Sequence, residues 1–189
     1  MLRYLLYSLM LGVAAAVVGA VIAIKHHPER FANYVGLDQQ LLKRTPHFQL
    51  QDIDGRLRDS SEWQGKILVL NFWATWCPPC REETPGFVEL QRSYGERGVQ
   101  FVGIAIDDAE EVRHFMDGFG VNYPMLMGNL EIVALSREMG NRLEALPFTV
   151  ISDRHGFIVK RYTRGLTKAD VETVITQLLQ SSGDARGKG

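Results

Sequence analysis

Lys66-Ile67-Leu68-Val69-Leu70-Asn71-Phe72-Trp73-Ala74-Thr75-Trp76-Cys77-Pro78-Pro79-Cys80-Arg81-Glu82-Glu83-Thr84-Pro85 is the stretch on which the reading of this chain turns. Its first half is a nearly unbroken apolar run, the pattern of a strand buried on both faces. Its second half carries Pro78 and Pro79, whose fixed φ suits a first helical turn, where a missing N–H costs little. Cys77 therefore falls at a helix N-terminus, with Cys80 one turn in. The chain has no other cysteine. Two sulfurs separated by two residues at a strand-to-helix seam read as a redox pair, closing to a disulfide or opening to a dithiol. Such a short loop restricts the unfolded chain little, so a stabilising staple is the weaker reading. The helix dipole and the free N–H groups of Cys80 and Arg81 favour a thiolate on Cys77. Cys77 is then the attacking sulfur, and the more shielded Cys80 resolves the mixed disulfide.

Other chemistries fit the residues less well. A zinc site needs four ligands, and no second cysteine pair or suitably spaced histidine pair exists, so no metal is expected. A peroxidatic cysteine normally follows Thr or Ser three residues earlier, where Ala74 stands. An inert structural disulfide remains an alternative.

The block Asn71 to Pro85 resembles the active-site stretch of the thioredoxin superfamily, and more narrowly the membrane-anchored TlpA/ResA-like thiol–disulfide oxidoreductases. The resemblance runs from about Thr45 to about Leu179. Pro85 falls at the family's helix-kinking proline, Ser60 to Lys66 at the lead-in to the central strand, and Val102 to Asp107 at the next strand. Leu146-Pro147-Phe148-Thr149 falls where the family carries a cis-proline facing the cysteines. The resemblance implies a three-layer α/β domain with a mixed sheet and an N-terminal β-hairpin extension. It also implies a substrate-docking patch of Trp76, Pro78, Pro79, Leu146 and Pro147. Thioredoxins carry a buried Asp where this chain has Asn71, a departure shared by the TlpA/ResA branch. In that branch a Glu lies near the active site at the position of Glu83, which tunes the thiols or moves the Cys80 proton. The plainer reading of Glu83 is a first-turn acid complementing the helix dipole.

The direction of electron flow follows from thiolate stabilisation. Potentials across the superfamily run from about −270 to about −120 mV, on the order of 7 kcal/mol. Pro-Pro offers Cys77 neither charge nor N–H, and Glu82 and Glu83 oppose a thiolate, partly offset by Arg81. The expectation is a reductant whose only redox group is the Cys77–Cys80 disulfide, with no bound cofactor. A thiol oxidase or isomerase is the alternative within the class; a redox sensor or copper-delivery module is the alternative outside it.

Tyr4 to Ile24 is about 21 residues without a charge, long enough to span a bilayer core as a helix. It exceeds a secretory h-region, so residues 1–27 are expected to be an uncleaved anchor rather than a cleaved signal. Flanking charge is nearly balanced, and only the resemblance places the domain outside the cytoplasm, on the periplasmic side of the inner membrane. The resemblance further implies regeneration by a CcdA/DsbD-type membrane donor and clients such as apocytochrome c or copper-site proteins. Relatives specialised for cytochrome maturation lead into the cis-proline with Gly-Val-Tyr-Gly, and Glu144-Ala145-Leu146 departs from that. A net charge of −1 excludes a basic footprint for nucleic acid.

Residues 28–44 read as a polar connector, 45–180 as the domain and 181–189 as a disordered tail. Within the domain, Asp54-Gly55 marks a hairpin turn from Phe48 and Leu50 into Arg56-Leu57-Arg58. The active-site helix is expected to reach Gly95 or Gly98. A strand Gln100–Asp107, a helix Ala109–Phe119, a return through Pro124 to Met127 and a helix Leu130–Met139 follow. The Pro147 strand, a turn at Asp153–Gly156, a strand Phe157–Tyr162 and a helix Lys168–Leu179 complete the alternation. Met125 and Met127 alternate like two thioether ligands of copper on one strand face, but core packing explains them more simply. Capping accounts equally for Asp107, Asp108, Glu110 and Glu111. His114 and His155 read as surface residues.

Overall fold

The computed structural model describes residues 43–184, and these open with the expected hairpin, β1 (Gln49–Asp52) and β2 (Leu57–Asp59). Its turn is made by Asp52, whose Oδ1 accepts from the N–H groups of Asp54 and Arg56, and by Gly55 at φ 77°. The apolar run becomes β3 (Ile67–Trp73), buried at every position. Helix α1 (Pro78–Tyr94) follows, then β4 (Val99–Ala105), α2 (Ala109–Phe119) and β5 (Met125–Met127). Helix α3 (Leu130–Met139), the strands β6 (Phe148–Ser152) and β7 (Ile158–Tyr162), and α4 (Lys168–Asp184) complete the domain.

These strands form one seven-stranded mixed sheet in the order β2-β1-β5-β4-β3-β6-β7. Strands β3, β4 and β5 run parallel, while β1 and β6 pair antiparallel on either side of them. Helices cover both faces, giving the thioredoxin-like three-layer architecture that the strand–helix alternation implies. Side chains leave a strand alternately, so Ile67, Val69 and Trp73 enter one core and Leu68, Leu70 and Phe72 the other. The first core is completed by Phe87 and Leu90 of α1, Phe115 of α2 and Val174 and Ile175 of α4. The second is completed by Ile132, Leu135 and Met139 of α3, with Phe48, Leu50 and Trp63. Asn71 belongs by parity to the first face, under α1.

Most boundaries fall close to expectation, and the exception is the C-terminal helix. Helix α1 stops at Tyr94, and a 3-10 turn, Gly95–Arg97, carries the chain to Gly98 at φ 85°. Strand β5 is only three residues long, because Pro124 lacks the N–H needed to extend the ladder. Helix α4 runs past Leu179 to Asp184, into the segment read as tail; Ser181 there returns its hydroxyl to the Leu178 carbonyl. The expected anchor Tyr4–Ile24, the connector through residue 42 and residues 185–189 lie outside the described residues. Among the described residues, no helix is long and apolar enough to cross a membrane.

Candidate active site

Strand β3 delivers the chain to a tight loop, Ala74 to Cys77, closed by the Cys77 N–H on the Ala74 carbonyl at 3.2 Å. Cys77 is the N-cap of α1 in an extended conformation, with the two prolines in the first turn. The Arg81 N–H, expected to be free, donates to the Cys77 carbonyl at 3.2 Å. An N-cap carbonyl takes the first bond of a helix, so only the Cys80 N–H is left facing the loop. Cys77 and Cys80 are joined as a disulfide with Cα atoms 5.3 Å apart. Both are buried, at 4% and 1% exposure, so the expected contrast in shielding is small in the oxidised state. Trp76 beside them is 67% exposed.

Register places the proline loop. Phe148 pairs with Phe72, which sets Pro147 opposite Trp73 at the end of β3 that leads to Cys77. The Leu146–Pro147 bond is cis, as the resemblance implies. Asn141, buried, holds the preceding loop by exchanging two hydrogen bonds with the Ala145 backbone at 3.0 and 3.1 Å.

Glu83 is not a first-turn acid at the surface. It lies in the second turn of α1, 3% exposed, on the face turned to the sheet. Asn71 Nδ2 donates to its Oε1 at 2.8 Å and the Leu166 N–H to its Oε2 at 2.9 Å. The same Asn71 amide donates to Thr149 Oγ1 at 3.0 Å, its register partner across β3 and β6. Burial pushes the Glu83 carboxyl up to about 7, against the two hydrogen bonds that favour its charge. Positions i and i+3 of a helix share a face about 5–6 Å apart at Cβ, so Glu83 sits one turn from Cys80. Near neutral pH it can hold or release a proton there. A cleft of about 400 Å³ between α1 and the start of α4 is lined by Glu83, Pro79, Leu166 and Thr167. Burial and the Glu83 charge together push the Tyr123 hydroxyl well above its ordinary range.

A second carboxylate holds the loop from the other side. Thr75 donates both its N–H and its hydroxyl to Asp107 Oδ2, at 2.8 and 2.6 Å. Arg81 Nη1 adds a bond to the Thr75 carbonyl at 3.3 Å, its guanidinium lying over Phe115 and Phe119. Sequence reasoning assigned Asp107 to helix capping. Asp108 does that, accepting from the Glu110 N–H at 2.8 Å. A signal for the Asp107 role was present: parallel strands with Trp73 opposite Ala105 bring residue 107 beside residue 75. Thr149 and Leu166 were also missed. Asn71, the sole polar side chain of the apolar run, was the cue that a buried partner exists. Met125 is buried and accepts the Trp73 indole N–H on its sulfur at 3.1 Å, which favours the packing reading over copper.

A sulfur pair at a helix start, with a cis-proline leading into the strand beside β3, defines the class: a thioredoxin-like thiol–disulfide oxidoreductase. The chain belongs to the redoxin family, whose profile matches residues 42–178. It is 34% identical over 127 residues to the thiol-disulfide oxidoreductase ResA of Halalkalibacterium halodurans, covering 67% of this chain and 70% of that one. With ResA of Geobacillus thermodenitrificans it shares 29% identity over 171 residues, 90% and 92% of the two chains. A thioredoxin-family thiol:disulfide interchange protein from Chlorobium tepidum superposes with a TM-score of 0.68 at 30% identity. That match covers 73% of this chain and 97% of the other.

Proposed function

We propose that the chain is a membrane-tethered, extracytoplasmic protein-disulfide reductase. The observation that carries the reading is a buried Glu83, titrating near 7, one helical turn from the resolving sulfur. The Cys77 thiolate attacks a client disulfide, forming a mixed disulfide and releasing one client thiolate. Glu83 takes the Cys80 proton, and the Cys80 thiolate attacks Cys77 Sγ. The second client sulfur leaves as a thiolate, and Cys77 and Cys80, joined as a disulfide, have given up the two electrons that the client gains. Trp76, Pro78, Pro79, Leu146 and cis-Pro147 form the docking surface.

The reducing direction is supported by the scarcity of thiolate stabilisation. The two prolines give Cys77 no N–H, the Arg81 N–H is engaged, and a buried acid, Glu83, lies one helical turn from Cys80. Tethering through Tyr4–Ile24 is supported by that segment's length and lack of charge. Regeneration by a CcdA/DsbD-type membrane donor, and clients such as apocytochrome c or copper-site proteins, are what the resemblance of the active-site stretch to the TlpA/ResA branch implies.

The test is the equilibrium reduction potential of the full chain in detergent, titrated against dithiothreitol and glutathione couples. A value near or below about −270 mV supports a reductant. A value near about −120 mV reverses the direction and makes Cys77 an oxidant of client thiols.

A further inference from the structure

At the opposite end of β3 from the cysteines, about 20 Å along the strand, lies a cavity of about 410 Å³. Three chain segments wall it: the lead-in to β1, the lead-in to β3 and the turn between β6 and β7. Each contributes a permanent cation, namely Arg44, Lys66 and Arg154. No carboxylate among the described residues pairs with any of them. Arg44 lies over the Phe157 ring at 4.4 Å, Lys66 donates to Gln100 Oε1 at 3.1 Å, and Arg154 donates to the carbonyls of Gly65 and Arg97. The single acid in the wall, Asp153, uses its Oδ1 on the N–H groups of His155 and Phe157, at 2.9 Å each.

The wall also holds a polar deficit. Among the described residues, two buried side-chain polar atoms lack a hydrogen-bond partner, Thr45 Oγ1 and Arg154 Nε, and both residues line this cavity. Both atoms can donate. A buried unpaired donor costs on the order of 1–3 kcal/mol, so two in one place call for an acceptor. A water would serve the donors and solvent the charges. Three permanent cations against the single carboxylate of Asp153 on one concave site favour an acceptor that is also an anion.

We propose that this cavity binds a phosphate group, in a site separate from the disulfide. Phosphate offers several charged acceptors to donors arranged around it, which matches guanidinium, ammonium and hydroxyl groups converging from three segments. The group can come from free phosphate or from the headgroup of an anionic lipid.

The test is calorimetric titration of the full chain, held in maltoside micelles, with inorganic phosphate at constant ionic strength. A one-site isotherm is expected, weakened at least tenfold, about 1.4 kcal/mol, in Lys66→Ala and in Arg44→Ala. Both variants keep the Arg154 contacts to Gly65 and Arg97 and should reduce insulin at the wild-type rate. Absence of saturable binding, or either variant binding as tightly as wild type, overturns the proposal. Micelles doped with phosphatidylglycerol then distinguish the sources. Competition with phosphate identifies a lipid headgroup, and an unchanged isotherm identifies a soluble phosphate.

Discussion

Asn71 Nδ2 donates to Glu83 Oε1 across 2.8 Å, with both side chains almost wholly shut off from water. An amide therefore stands where thioredoxins carry an acid, and the acid has moved to the facing helix. The amide's two donated bonds, to Glu83 and to Thr149, tie α1 to β3 and β6 at the level of the disulfide.

Stability should fall as pH rises toward neutrality. The Glu83 carboxyl titrates near 7 in the folded protein against an ordinary 4.5. Below the ordinary value both states hold the proton and the folded state has its full advantage. Between the ordinary value and about 7 the unfolded carboxyl ionises while the folded one keeps its proton, a loss on the order of 3 kcal/mol that is complete once the folded carboxyl ionises. Urea unfolding from about pH 4 to about pH 8 should show this slope below about 7 in wild type and not in Glu83→Gln. The same variant should slow insulin reduction about 10- to 100-fold at pH 7 and flatten its pH profile there.

Asn71→Ala should raise the Glu83 pKa further. The bond it removes favours the charged carboxylate, so its loss shifts the balance toward the neutral form. Carbon-detected titration of the Glu83 carboxyl checks the shift, which must be upward.

The Thr75–Asp107 clamp should prove worth about 1.5–3 kcal/mol, as a hydrogen bond to a charged group. Thr75→Val should lose that amount and reduce insulin several-fold more slowly, and Thr75→Ser should restore both. Burial pushes Asp107 up, but the bonds from Thr75 and Asp108 hold it below its ordinary range. Its contribution is therefore present above the ordinary value and lost as pH falls through the lowered one. Asp107→Asn should remove that acid-side loss from the unfolding profile.

Trp76→Ala should leave stability within about 0.5 kcal/mol, since the ring is mostly in solvent. If the ring is a docking surface, KM for insulin should rise several-fold while the rate with a small aromatic disulfide stays unchanged. Equal losses on both substrates would instead place Trp76 in the chemistry.

The order of strands and helices was legible because it depends on local rules. The unbroken apolar run Ile67–Trp73, the prolines after Cys77 and Asp54-Gly55 each act within a few residues. Boundaries that depend on packing were less so, as with α4 continuing to Asp184 through residues that usually end a helix.

The sequence by itself determined the disulfide and its seat, because strand, turn and helix start are contiguous. Strand parity also sets Asn71 on one face with Val69 and Trp73. Only the tertiary structure decided what Asn71 meets. Its partners Glu83 and Thr149 lie 12 and 78 residues away, and the N–H that completes the carboxylate's shell, from Leu166, lies 83 residues beyond Glu83. A carboxyl's pKa is set by what excludes water from it and what donates to it. For Glu83 the folded packing of α1 on the sheet supplies both.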